Sequence, residues 1–219
     1  MTAASPEPAS SPSQPLGRSE RKRRDMLAAA ERMFLAGGYL GTNMDELAAA
    51  SGVSKQTVYK HFGSKEALFV ELVTTMTDAT SEAVHRSVPS VEQVDDVGAY
   101  LEEYADRQLD AVMTPRILQL RRLVIGEVAR FPELAEALHE RGPVRAIESL
   151  STVLTRLDQR GLLTVDDARL AATQFNWLVM GEPLNRAMLL GDRAIPSAAE
   201  RREHVRRSVG AFLPAYAVR

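Results

Sequence analysis

Apolar positions recur along the chain at helical spacing, and no stretch alternates as a strand would. Met26/Leu27, Ala30 and Met33/Phe34 outline a first helix, from a Ser19 cap to about Ala36, stopped by Gly37-Gly38. Thr42 or Asn43 caps a short helix over 44–51, with Asp45 and Glu46 where the dipole favours acids. Gly52 breaks the chain. Ser54 caps a second short helix over 55–62, Gly63 ends it, and Ser64 caps a long helix to about Arg86. Leu68/Phe69, Leu72/Val73 and Met76 form its apolar stripe.

Beyond Pro89 the period persists. Val97, Tyr100, Leu101, Tyr104, Leu109 and Val112 mark one helix, and Pro115 begins the next, with Ile117, Leu120, Val124 and Val128. Phe131-Pro132 opens a short helix. Gly142-Pro143 opens another, with Ile147, Leu150, Leu154 and Leu157, closed by Gly161. Thr164-Val165-Asp166-Asp167 reads as a capping box, with Asp in place of Glu or Gln. It starts a helix toward Met188, with a kink expected at Gly181 or Pro183. Ser197 caps the last helix, marked by Val205, Val209 and Phe212/Leu213. The pattern predicts an all-α protein of nine or ten helices without internal repeats. It divides into a tail (1–17), a three-helix helix-turn-helix domain (18–66) and a larger helical domain (67–219).

Composition adds exclusions. The 219 residues contain 45% apolar residues, enough for a packed core, and no cysteine, which removes disulfides, thiolate metal sites and cysteine nucleophiles. No apolar run is long enough for a membrane span, and no basic start precedes an apolar core of signal-peptide type, so the expected location is the cytoplasm. Residues 1–17 hold four prolines and four serines and are expected to be disordered. They serve either as a passive leader or, with Arg18, Arg21, Lys22, Arg23 and Arg24 adjacent, as an arm on DNA.

The net charge of −2 conceals a split. Residues 16–65 carry nine Lys+Arg against five Asp+Glu, Glu7 adds −1, and residues 66–219 carry 18 against 23. All four lysines, Lys22, Lys55, Lys60 and Lys65, lie in the basic segment. Such asymmetry fits a nucleic-acid module joined to an acidic body.

The short helix after Ser54 has two faces. Val58 and Phe62, four apart, pack inward, while Lys55, Gln56, Thr57, Tyr59, Lys60 and His61 are polar or hydrogen-bonding. Lysine reaches guanine O6/N7, glutamine can pair with adenine N6/N7, and hydroxyls and cations hold phosphates. A small-residue turn, Ala50-Ser51-Gly52-Val53, joins this helix to the previous one. Taken alone, the face is equally that of a solvated helix in an ordinary bundle.

The continuous stretch from Gly41 to Phe69, GTNMDELAAASGVSKQTVYKHFGSKEALF, resembles the DNA-binding signature of TetR-type transcriptional regulators over about residues 20–70. The resemblance implies that Thr42 and Ser54 cap helices and touch phosphates. It places Lys55, Gln56, Thr57 and Tyr59 at base-reading or groove-entering positions. Lys60 and His61 fall at backbone-contacting positions, and Lys65 at a phosphate. Gln56 stands where many members have glycine, and His61 has the alternative of a packed surface histidine. Ala48 and Gly52 match small positions that let helices approach.

The larger domain shows no catalytic pattern: no HExxH, no GxGxxG or phosphate loop, no GxSxG. His85, His139 and His204 are scattered and read as surface residues. The resemblance implies that this domain binds a small effector and forms a homodimer. The run LVIGEVARFPEL, from Leu123 to Leu134, also looks like the AefR-like subgroup of C-terminal domains. Candidate effector-lining residues are Leu101, Tyr104, Met113, Ile117, Leu120, Val124, Phe131, Phe175, Asn176, Trp177 and Met180, each equally explicable as core. A buried amide at Gln174 or Asn176 needs a partner. The helices near 166–190 and 198–213 match the family's dimer-forming pair.

The expectation is therefore a non-enzymatic, cofactor-free and metal-free repressor that binds a palindromic DNA operator as a dimer and leaves it when a small apolar or amphipathic effector binds. Two alternatives stay open: an activator of the same fold, and an all-α ligand-binding protein without a DNA role.

Overall fold

The computed structural model describes residues 17–85 and 91–218. The readings for residues 1–16, and for the end of the long helix at Arg86, lie outside them. The described residues form ten α-helices and no strand.

Helix α1 (Arg18–Gly41) begins after Gly17 rather than at a Ser19 cap, and the Gly17 N–H donates to the Glu20 carboxylate at 3.1 Å. Gly38 breaks its regularity at φ 71°, so the glycine pair interrupts the helix and one more turn follows. In α2 (Met44–Ala50), Asn43 rather than Thr42 is the cap, accepting from Asp45 N–H at 2.8 Å. Thr42 turns back and donates its hydroxyl to the Gly38 carbonyl at 2.9 Å. Gly52 turns the chain at φ 65° into α3 (Lys55–Phe62), capped by Ser54. Gly63, at φ 79° and ψ −53°, ends α3. Ser64 Oγ then accepts from Ala67 N–H at the start of α4 (Lys65–His85).

The second half holds α5 (Val97–Val112), α6 (Pro115–Gly126), α7 (Pro132–His139), α8 (Arg145–Gln159), α9 (Ala168–Leu190) and α10 (Ala198–Phe212). Three expectations change here. Gly142-Pro143 does not separate helices; residues Glu140–Val144 form a π turn that carries α7 into α8. Asp167 alone caps α9, accepting from Leu170 N–H, in place of a capping box from Thr164. Helix α9 runs unbroken through Gly181 and Pro183. The box that does form is on α10, between Ser197 and Glu200.

Two apolar cores organise the molecule. One joins α1, α2, α3 and α4 and extends into α6 and α7 through Ile117, Leu120, Val124, Phe131 and Leu134. The other joins α5, α8, α9 and α10, with Leu118 of α6. Helix α6 thus contributes to both, while α4 leads from the helix-turn-helix to the body and packs on α5 and α7.

Candidate nucleic-acid interface

Helix α3 is oriented by its two apolar residues. Val58 is fully buried and Phe62 nearly so. That leaves Ser54, Lys55, Gln56, Tyr59 and Lys60 exposed, with Thr57 and His61 half-buried. Gln56, Thr57, Tyr59 and Lys60 line one open surface hollow. The helix carries no acid, and Lys60 and His61 lie in its last turn. Exposed donors on a helix held by its own core can enter a major groove.

Several of these side chains are already engaged. Ser54 Oγ accepts from Thr57 N–H at 3.2 Å and lies 2.8 Å from Thr57 Oγ1. Lys55 Nζ donates to Asp45 Oδ2 at 3.0 Å, and that hydrogen bond, with the attached charge, raises the Lys55 ammonium above its ordinary value. Thr42 is buried, so its hydroxyl is not presented at the surface. Lys65 is half-buried and sits 4.7 Å from the Tyr39 ring centroid. Burial, then repulsion from Arg130, lowers its ammonium.

Tyr39 is a residue the sequence pattern passed over. Its ring meets Phe131 edge-on at 4.6 Å and Phe69 at 5.2 Å, and Arg130 approaches it at 5.5 Å. Residues of the helix-turn-helix, of α4 and of the α6–α7 connection therefore meet on one ring. Arg23 was also not singled out as a contact within the fold. It pairs with both carboxylate oxygens of Glu71 and stacks over Phe62 at 4.9 Å, which fixes α1, α3 and α4 together. No sequence periodicity links residues so far apart; only their charges and aromaticity were visible.

The proposed effector liners fall into separate groups. Leu101, Tyr104, Met113, Phe175 and Met180 belong to the second core, whereas Ile117, Leu120, Val124 and Phe131 belong to the first. Trp177 is 61% exposed on the outer side of α9, away from both. Asn176 is buried, and its Oδ1 accepts from Gln108 Nε2 at 3.0 Å. That leaves Gln108 Oε1 buried and unbonded, as is the Tyr100 hydroxyl one face along on α5. Tyr104 donates to the Ala146 carbonyl at 3.3 Å, and burial pushes its phenol well up. Gln174 accepts from the Tyr216 hydroxyl at 2.7 Å. His204, read as a surface residue, instead ties α10 to α9: its Nε2 lies 2.8 Å from the Val179 carbonyl oxygen.

Comparison with known proteins bears on these surfaces. Residues 26–72 match the profile of bacterial regulatory proteins of the tetR family, and residues 99–218 that of the AefR-like transcriptional repressor C-terminal domain. A solved TetR-family transcriptional regulator from Mesorhizobium loti is 36% identical, with a TM-score of 0.86 over 93% of this chain and all of that one. The flavonoid-responsive regulator FrrA is 32% identical, with a TM-score of 0.74 over 91% of this chain and 99% of its own. The transcriptional activator FasR from Mycolicibacterium smegmatis is 37% identical over 73 residues, 33% of each chain. The aligned part is thus about a third of that curated relative's length. Two profiles covering both halves, together with a full-length structural match, assign the chain to the TetR family of transcriptional regulators, with an AefR-like C-terminal domain.

Proposed function

We propose that this regulator is a cytoplasmic, effector-responsive repressor that binds a palindromic operator as a homodimer. The observation that carries the DNA reading is α3: an acid-free outer face of exposed donors on a helix fixed by Val58 and Phe62. Lys55, Gln56, Thr57 and Tyr59 would address base edges or enter the groove; Ser54, Lys60, His61 and Lys65 would address the backbone. One eight-residue helix reaches few base pairs, so a two-fold pair is needed to read a longer site.

The dimer face proposed is the outer side of α9. Leu170 and Trp177, seven residues apart, share one face of that helix and are 52% and 61% exposed, with Leu178 beside them. The description of the matched C-terminal family as repressor-type supports repression; FasR, named an activator, supports the opposite sign over a shorter match. FrrA, described as flavonoid-responsive, supports a small-molecule input to the second domain. An effector acts only through different affinities for the operator-bound and released states.

The test is a mobility-shift titration of the full chain against the promoter of its own gene, followed by genome-wide mapping of its sites. A specific shift on a palindrome is expected. No specific shift, with or without candidate effectors, would favour a ligand-binding protein without a DNA role. Higher target expression after deletion of the gene separates repressor from activator.

A further inference from the structure

Three buried side-chain atoms among the described residues have no hydrogen-bond partner, and two of them, the Tyr100 hydroxyl and Gln108 Oε1, belong to α5. The third, Arg186 Nε, has the Glu182 carboxylate 3.4 Å away. Tyr100, Tyr104 and Gln108 follow one another at four-residue intervals, which sets them in a row on one side of α5. They are 5%, 3% and 4% exposed. The two tyrosines sit in the second core with Leu101, Leu154 and Phe175. Tyr104 commits its proton to the Ala146 carbonyl at 3.3 Å, and Gln108 commits an amide N–H to Asn176 at 3.0 Å. The row therefore ends in an unused hydroxyl at Tyr100 and an unused acceptor at Gln108.

A buried polar group without a partner destabilises the fold that holds it, so this packing leaves the row incomplete. Eight residues of helix set its two ends about 12 Å apart along the axis. Both atoms are sealed from solvent, so a partner reaches them only when α5 parts from α8 and α9, which cover the row through Ala146 and Asn176. A molecule that completes the row would favour the parted arrangement, and that difference in affinity is what an effector needs. The core around the row contains no charged side chain. The charges that act on the Tyr100 phenol come as opposite pairs, Arg107 with Glu103 and Arg156 with Glu92, and offer an ion no net attraction.

We propose that the row on α5 is the recognition strip for the effector: an uncharged, elongated molecule with an apolar middle and a hydroxyl at each end, one bonded to the Tyr100 hydroxyl and the other to Gln108. The proposal rests on the reading that the second domain takes an effector, and it narrows that effector from apolar or amphipathic to a neutral, two-ended one. A hydroxyl both donates and accepts, so it satisfies the Gln108 amide in either orientation and the Tyr100 oxygen as well. The apolar middle lies against the same core side chains that now close over the row.

Three stilbenes of one shape test it on the full-length protein by fluorescence titration. 4,4′-Dihydroxystilbene carries a hydroxyl at each end of a rigid apolar rod, trans-stilbene lacks both, and stilbene-4,4′-dicarboxylate replaces them with charges. The wild type should bind the dihydroxy compound saturably, stilbene more weakly and the dicarboxylate least. Tyr100→Phe removes one oxygen and nothing else; it should weaken the dihydroxy compound about tenfold and leave stilbene unchanged. Replacing Gln108 and Asn176 together by leucine should weaken it similarly without stranding either amide. Tyr100→Phe should melt no lower than the wild type; a lower melting point would mean that a trapped water already serves the hydroxyl, and the proposal would fall. It falls also if Tyr100→Phe binds the dihydroxy compound as the wild type does, if that compound does not bind the wild type, or if the dicarboxylate binds as tightly. A mobility shift with the dihydroxy compound separates the two readings. Tyr100-dependent binding that leaves DNA binding unchanged keeps the strip as a ligand site and overturns its role as effector site. Release of DNA by any of the three, equal in wild type and Tyr100→Phe, keeps the effector and overturns the strip.

Discussion

Lys55 and Lys60 share the outer face of α3 but not the same surroundings. Lys55 is held by Asp45, whereas Lys60 is exposed and has no acid partner among the described residues. Lys60→Ala should therefore weaken binding to every duplex and lower the slope of log affinity against log salt by about one. Anisotropy titrations at several salt concentrations would check this; an unchanged slope would remove Lys60 from the phosphate contacts. Asp45→Ala releases Lys55 and should tighten DNA binding at low salt, the gain fading as salt rises. Lys65→Ala should move the slope less than Lys60→Ala, because its ammonium is drawn onto the Tyr39 ring. The outward positions of α3 were legible in the sequence because a 3.6-residue period sorts one short helix into faces. Asp45 on Lys55, and Tyr39 between Lys65 and Arg130, were not: their partners come from other elements, and only the folded chain brings them together.

Helix ends were readable wherever the cap chemistry was local. Ser54, Ser64, Pro115 and Ser197 all begin helices as their side chains dictate, and Gly63 and Gly161 end them. Two of the misreadings share a cause, since each concerns a residue with two local options. Thr42 and Asn43 can both cap, and the amide-bearing side chain takes the role while the hydroxyl satisfies Gly38. Pro143 lacks an N–H and reads as a start, yet a π turn absorbs it. Between α5 and α9, the Gln108–Asn176 pair is the buried polar link. Asn176→Ala strands Gln108 and should cost about 1–3 kcal/mol in urea unfolding, whereas replacing both with leucine should cost much less. Gly63→Ala forces a side chain into a backbone conformation suited to glycine, and about 1–3 kcal/mol of stability should be lost. Retained stability in that variant would mean the α3–α4 turn can relax.

At the scale of the molecule, near-neutral charge and a DNA-binding role are compatible, because the positive excess is confined to the first 65 residues. The family's architecture was legible from helix count and the α3 signature; the sharing of α6 between two cores was not, because neighbouring residues on one helix can serve different cores. The proposed dimer makes a direct prediction. Trp177→Glu puts a charge on the exposed apolar face of α9 and should shift sedimentation toward monomers, with loss of tight operator binding. A variant that still sediments as a dimer would move the interface elsewhere.

Trp177 is also the chain's single tryptophan. Its exposure in the isolated chain would make it an intrinsic optical gauge of the proposed assembly. Excited at the indole band, a dilute sample should emit at long wavelength, as a water-facing indole does. Raising the concentration should move the emission to the blue as the indole loses its water contact, with no label attached. The midpoint of that spectral shift would read the dimer dissociation constant. Repeating the titration with effector or operator present would show whether either ligand changes the strength of subunit association.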